Sequence, residues 1–515
     1  MESANRTSLS IKNAQIALLF YLLNLILRFF SRKVFLDYLG VEVLGLNTTA
    51  QNLLGFLNIA ELGIGGAVAY TLYVPLYNKN TDVINEIVSV QGWLYRIVAY
   101  FVIGGACIMM FFFPIIFLKA NIPLWYAYGS FGVFLYSSLL GYFVNYKQIV
   151  FSADQKEYKN TIHIQGWIFV KVLLQMIAIY YLNNGYLYWM VIEIVMATIT
   201  SITLNYSIKK EYKWLHTSTK LGMNLRRKYP EIVMKIKQIF FHKIGGFVLL
   251  QTSPIIIYAY TSLTLVGIYG NYLLIINGIT LLMQSLFNSV SAGVGNLVAE
   301  KKNKKIKQVF WELTVCRMWL ASIICYVTYK SADLFITIWV GEAYILEHSA
   351  FIVLLFITFI SLTRTSDIFI SAYGMFQDIA APIVESILNI GLSVLLGYYW
   401  GLFGILLGVA ISQVIIILGW KPYFLYKYGF KLCFLEYLKR YTKYILVIFI
   451  SMYCANVILK IFDLSFQDRT LVNFIYYASL SGVVYASIIS VNLFLLDKSM
   501  RYFVKRMLGV IESKM

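Results

Sequence analysis

Charge is scarce in this chain. Only 13% of its 515 residues are charged, 60% are hydrophobic, and mean hydropathy is +0.72. A soluble domain is charged at about a quarter of its residues, so a water-exposed globule is excluded and a chain immersed in lipid is implied. Acids are the scarcer sign, at 24 against 43 Lys and Arg. The resulting charge of +19 does not describe a nucleic-acid surface, because the cations sit in short segments between apolar runs. Nucleic acid is therefore not an expected partner. Paired cysteines are missing too: Cys107, Cys316, Cys325, Cys433 and Cys454 lie far apart with no C-x-x-C, so neither a disulfide framework nor a zinc site is supported. No metal or cofactor is expected. No G-x-x-x-x-G-K-[ST] occurs, which excludes that ATP motif and leaves an ion gradient or a cargo gradient as the energy source. The polar start MESANRTSLSIKN has no small-residue cleavage site beyond it, so the N-terminus is expected to be retained.

What the chain has instead is long apolar runs. Crossing the hydrocarbon core takes about 20 apolar residues as helix. Fourteen runs qualify, at 13–38, 44–74, 94–118, 124–150, 161–182, 186–208, 237–259, 263–298, 310–330, 349–373, 379–400, 402–420, 442–461 and 470–495. Between them, segment 209–237 holds nine Lys and Arg against two acids, 299–308 five against one, 421–443 six against one, and the tail 496–515 five against two. Segment 331–348 has three acids and no Lys or Arg. With fourteen spans every strongly basic segment falls on one side, which is then cytoplasmic and holds both termini.

The pattern predicts an all-α polytopic membrane protein: two six-helix lobes related by a pseudo-two-fold repeat, plus a C-terminal helix pair. The expected divisions are an N-terminal lobe at 1–208, a basic cytoplasmic linker at 209–236, a C-terminal lobe at 237–422, and the extra helices with the tail at 423–515. The repeat rests on weak matches at a spacing near 220: Gly45 with Gly267, IVFSADQ (149–155) with IFISAYG (368–374), and IAIYYL (177–182) with VLLGYYW (394–400). Parallel repeats of this kind place a transport site between the halves.

Polar residues recur at helical spacing. Asn47, Gln51, Gly55, Asn58, Glu61 and Gly65 step by four or three, which keeps them on one third of a helix surface. Gln284, Asn288, Ser291 and Gly295 form a similar stripe. Asn24, Arg28 and Arg32 step by four, as do His163, Trp167, Lys171 and Gln175. A charge at the bilayer centre costs about 2.5–3.5 kcal/mol, so these groups should face protein or water. The candidate cavity set is Asn24, Arg28, Arg32, Asn47, Gln51, Asn58, Glu61, Lys171, Gln284, Asn288 and Ser291. Coupling or hinge positions are Glu61, Gly63, Gly65, Gly293 and Gly295. The competing reading is helix–helix adhesion, which suits the G-x-x-x-G spacing around Gly397, Gly401, Gly404 and Gly408. Glu61 stands open between adhesion, proton uptake and an ion pair with Arg28, and Lys171 between the cavity and a pairing with Glu193. Arginine suits phosphate because its planar fork gives paired, charge-assisted hydrogen bonds.

The stretch RFFSRKVFLDYLGVEVLGLNTTAQNLLGFLNIAELGIGGAVAYTLYVPLYNKN (28–80), with its LGVEVLGLN, AELGIG and LYVPL elements, resembles the N-terminal region of bacterial polysaccharide flippases. These O-antigen and oligosaccharide repeat-unit flippases belong to the multidrug, oligosaccharidyl-lipid and polysaccharide exporter superfamily. The segments LVGIYGNYLLI and SAGVGNLVAEKK are similar to the second half of that family. The resemblance implies two lobes around a central cavity that work by alternating access in the bacterial inner membrane. The implied cargo is an undecaprenyl-pyrophosphate-linked oligosaccharide, turned from the cytoplasmic to the outer leaflet for lipopolysaccharide or other surface polysaccharide synthesis. Arg28 and Arg32 would hold the pyrophosphate, and the cation H+ or Na+ would couple transport. Membrane lipids, a polysaccharide polymerase and chain-length machinery are the implied partners. The protein is expected not to be an enzyme. The rival readings are an ion-coupled multidrug or small-molecule exporter of the same fold, and a membrane glycan polymerase or glycosyltransferase.

Overall fold

Within the long apolar runs the backbone has one way to satisfy its N–H and C=O groups in lipid, which is the internal ladder of a helix. The computed structural model describes residues 2–299, 302–375, 380–461 and 470–512, and among these no strand occurs. The long helices are α1 (Glu2–Leu57), α2 (Ile64–Tyr77), α3 (Thr81–Phe111), α4 (Leu124–Phe143), α5 (Glu157–Tyr181), α6 (Gly185–Glu211) and α7 (Pro230–Tyr260). They continue as α8 (Leu263–Ala299), α9 (Asn303–Trp339), α10 (His348–Leu362), α11 (Ala380–Gln413), α12 (Phe434–Ile461), α13 (Leu471–Leu496) and α14 (Lys498–Glu512). The chain is an all-α, multi-pass membrane protein.

Ten helices among the described residues are long and apolar enough to cross a membrane, or up to 11 if a pair bent by 61° at Leu124–Phe143 and Asn145–Ala153 counts as one span. Two of the ten carry two expected spans each. In α1, Gly40 leaves helical conformation at φ 82 and ψ 165. In α11 the break is at Trp400 and Gly401, the glycine lying at φ 54 and ψ −135. The remaining expected span, 237–259, lies within α7. Among the described residues most of the fourteen runs read from the sequence thus fall on long helix, with 44–74 interrupted.

Tight crossings explain where glycine sits. A Cβ at Gly404 would lie 2.0 Å from the Leu396 carbonyl oxygen, and one at Gly408 would lie 2.4 Å from the Ser393 nitrogen. The two halves of α11 thus pack backbone to backbone around Gly401, as G-x-x-x-G spacing permits. Gly45 and Gly267, the pair aligned by the internal repeat, meet each other. A Cβ at Gly45 would lie 1.9 Å from Leu263 O, and one at Gly267 would lie 2.8 Å from Val41 O.

The chain divides into two compact units, Met1–Gly270 and Asn271–Met515. In the first, α1 packs on α4, α5 and α7, and α7 also packs on α2. Because of those contacts α7 is held with the first unit, and the division falls at Gly270, beyond the basic segment. That segment is docked rather than free. Asn85 Nδ2 donates to Trp214 O (3.1 Å), and Asn85 Oδ1 accepts from the His216 N–H (2.9 Å). Ser89 Oγ accepts from the Ser218 N–H (2.9 Å), and Lys228 pairs with Glu86 at 2.7 Å. In the second unit, α9 packs on α10, α13 and α14, and an aromatic core around Phe310, Trp311, Tyr426, Tyr437 and Tyr444 ties it to the chain beyond α11.

The helix break at Glu61

The stretch 44–74 was expected as one helix carrying a continuous polar stripe, and here the structure corrects the sequence. Helix α1 stops at Leu57, one turn of 3-10 helix covers Asn58–Glu61, and α2 begins at Ile64. Gly63 sits between them in left-handed conformation at φ 95. The break has a packing cause as well as a conformational one. A Cβ at Gly63 would lie 2.8 Å from the Ile236 carbonyl oxygen, so the backbone of α7 is pressed against this residue. Only glycine meets both demands without strain. Gly65, beyond the break, lies in α2 with its Cβ position 3.6 Å from the Tyr95 hydroxyl.

At the break Glu61 is met by hydroxyls. Tyr95 OH donates to Oε1 at 3.0 Å, and Tyr142 OH lies 3.0 Å from Oε2. Tyr142 OH also lies 2.9 Å from Asn58 Oδ1, which accepts from Ser138 Oγ at 3.2 Å. The two tyrosine rings meet edge to face, with centroids 5.6 Å apart. Among the described residues no cation pairs with Glu61, so the Arg28–Glu61 ion pair is replaced by two neutral donors.

Tyr142 has one hydroxyl proton and two acceptor oxygens within reach, Glu61 Oε2 and Asn58 Oδ1.

The remaining candidate residues are placed as follows. Asn24 is buried and donates to Gln165 Oε1 at 3.2 Å. Asn47 is buried and accepts from Tyr186 OH at 2.7 Å. Lys171 pairs with Glu193 at 2.7 Å, and Gln175 donates to the same carboxylate at 2.9 Å. Asn24, Asn47 and Lys171 thus join neighbouring helices of the first unit. Arg32 Nη2 donates to Gly267 O at 3.0 Å and lies 2.6 Å from where a Cβ on Gly270 would be. Glycine at 270 therefore makes room for the guanidinium beside the Gly45–Gly267 crossing. Arg28, one turn earlier, is exposed, as are Gln51 and Gln284. Gly295 is partly buried with open space around its Cβ position. The side chains at Asn288, Ser291 and position 293 lie outside the described residues.

Sequence reasoning missed Tyr95, Tyr142 and Ser138. Tyrosine inside an apolar run looks like packing, and only a half-buried carboxylate in need of donors hints at them.

No protein-family model and no curated protein sequence matches the chain. Solved structures do. The chain is similar to the lipid II flippase MurJ in an inward closed conformation, with a TM-score of 0.62 and 16% identity, over 93% of this chain and 99% of that one. It is also similar to an inward-facing multidrug resistance MATE family transporter of the MOP superfamily, with a TM-score of 0.57 and 13% identity, over 80% and 97%. A Vibrio cholerae MATE transporter, VcmN, matches with a TM-score of 0.52 and 12% identity, over 83% and 99%. At these identities the likeness shows the fold alone.

Proposed function

We propose that this protein is a flippase of the inner membrane that moves an undecaprenyl-pyrophosphate-linked oligosaccharide to the outer leaflet by alternating access. The observation that carries the reading is a fold like that of a lipid II flippase along nearly the whole of both chains, joined to a first helix that holds Arg28 and Arg32. A sugar chain cannot cross hydrocarbon unaided, because each hydroxyl would lose water at a cost of several kcal/mol. A polar path through protein removes that cost while the lipid tail stays in the bilayer. In this reading the exposed Arg28 meets the diphosphate, and Arg32, seated at Gly267 O, sets the position of that helix face. Glu61 exchanges the coupling proton. In this reading both termini lie in the cytoplasm, which the excess of Lys and Arg in the basic segments supports.

The likeness to MATE transporters, together with a carboxylate held by neutral groups, favours a second reading: an ion-coupled exporter of small molecules. Deleting the gene separates the two. The flippase reading expects lipid-linked oligosaccharide to accumulate on the cytoplasmic leaflet and surface glycan to fall. It expects the Arg28→Ala, Arg32→Ala double variant to restore less than about a tenth of surface glycan, as a lost pair of charge-assisted contacts would. Normal glycan with lost drug resistance would select the exporter instead.

A further inference from the structure

A second polar feature lies in the second unit, away from Glu61. Helices α9, α12 and α13 leave a cavity of about 450 Å³ lined by Lys330, Tyr453, Asn456, Val457, Leu459, Lys460 and Tyr477. Two lysines open into it, and among the described residues no carboxylate lines it or forms a salt bridge with either. Lys330 lies 5.6 Å from the ring centroid of Tyr329 and 5.9 Å from that of Tyr326, a cation-π setting that holds the ammonium without neutralising it. Tyr326 OH donates to Asn456 Oδ1 at 2.9 Å, which fixes the amide with its nitrogen as the remaining donor. Lys460 closes the last turn of α12, where a cation is favoured by the helix dipole.

The location narrows the ligand. Helix α9 starts within the basic segment 299–308, and α12 starts within the basic segment 421–443. Lys330 and Lys460 lie toward the opposite ends of these helices, on the side assigned to the outer leaflet. Tyr453, Val457 and Ile461 are exposed apolar or aromatic positions on the same helix, suited to acyl chains rather than water. Lysines at helix ends ordinarily snorkel one by one toward headgroups. Snorkelling does not require that two of them share one cavity with an oriented amide and a tyrosine.

We propose that this cavity binds the phosphate of an anionic phospholipid in the outer leaflet, with Lys330 and Lys460 as its charge partners and Asn456 as a hydrogen-bond donor. The lipid then acts as a wedge that ties α12 and α13 to α9. This assignment is independent of the flippase reading, since it concerns a lipid of the surrounding bilayer.

Native mass spectrometry of the full chain in detergent tests it, with phosphatidylglycerol and phosphatidylcholine as probes. The wild type should retain phosphatidylglycerol in preference to phosphatidylcholine. The Lys330→Gln, Lys460→Gln double variant should retain phosphatidylglycerol about tenfold less. The Lys330→Arg, Lys460→Arg variant should keep it, which separates lost charge from lost folding. Lys439→Gln with Lys443→Gln, at the other end of α12, should leave retention unchanged. Equal retention by the wild type and a Gln variant of unaltered melting temperature would overturn the proposal. So would displacement of the lipid by inorganic phosphate alone, which would make this a site for the soluble anion.

Discussion

Glu61 in the first unit and Asp367 in the second are both carboxylates beside a helix break in an apolar stretch, yet their surroundings differ in kind. Asp367 lies between Arg364 at 2.7 Å and Lys421 at 2.8 Å. Nearby, Arg317 donates to the carbonyls of Leu362 and Arg364 at 3.1 and 2.9 Å, bracing the turn that begins the helix Thr365–Ala372. Glu61 has two tyrosine hydroxyls and no cation among the described residues. A carboxylate between two cations is held ionised, because neutralising it leaves two like charges facing each other. A carboxylate held by hydroxyls strands no charge when it takes up a proton. The first arrangement ties two cations to one joint, and the second supplies donors without a counter-charge.

The largest effect is expected where this contrast is strongest. Asp367→Asn should destabilise the second unit by about 3 kcal/mol, since both cations lose their counter-charge, read as a fall in melting temperature in detergent. An unchanged melting temperature would make the two carboxylates alike and remove the contrast. Gly63→Ala should cost about 2 kcal/mol, because the new methyl meets Ile236 O and the residue is held at φ 95. Limited proteolysis should then show earlier cutting near the break. Tyr142→Phe should cost about 1 kcal/mol, the worth of a part-buried hydroxyl, with the same thermal assay as readout. Glu61→Gln should change stability by less than about 0.5 kcal/mol, because the amide can still accept from one tyrosine and donate to the other. Its signature lies in transport, where proteoliposome uptake should lose its dependence on pH. A variant that keeps the wild-type pH profile would return Glu61 to a purely structural role.

How far the sequence could be read depends on the range of the physics involved. Spans were legible because hydropathy is a property of consecutive residues, and the glycine pairs of α11 because their spacing is local. Gly45 and Gly267 were aligned by repeat matching, but that they touch is not visible in an alignment. The stripe through Asn47, Gln51, Asn58 and Glu61 presumed an unbroken helix. The 3-10 turn at Asn58–Glu61 ends that periodicity, and the cause lies in α7, more than 170 residues away in the chain, where Ile236 meets Gly63. Asn24, Asn47 and Lys171 have the polarity of cavity residues, yet each has found a partner on a neighbouring helix, a choice that turns on rotamer and distance. The basic segment 209–236 was legible by its charge. Its docking on Asn85, Glu86 and Ser89 gave no signal, because single polar residues at the end of α3 look like any helix terminus.

By itself the sequence determined that this chain is helical and crosses the membrane many times, since lipid offers backbone groups no other partner and 60% apolar composition leaves few other choices. Only the tertiary structure decided which embedded carboxylates are paired with cations and which are hydrogen-bonded by hydroxyls. That depends on which helix faces meet, and a contact between residues far apart in the chain leaves no trace in the spacing of either one.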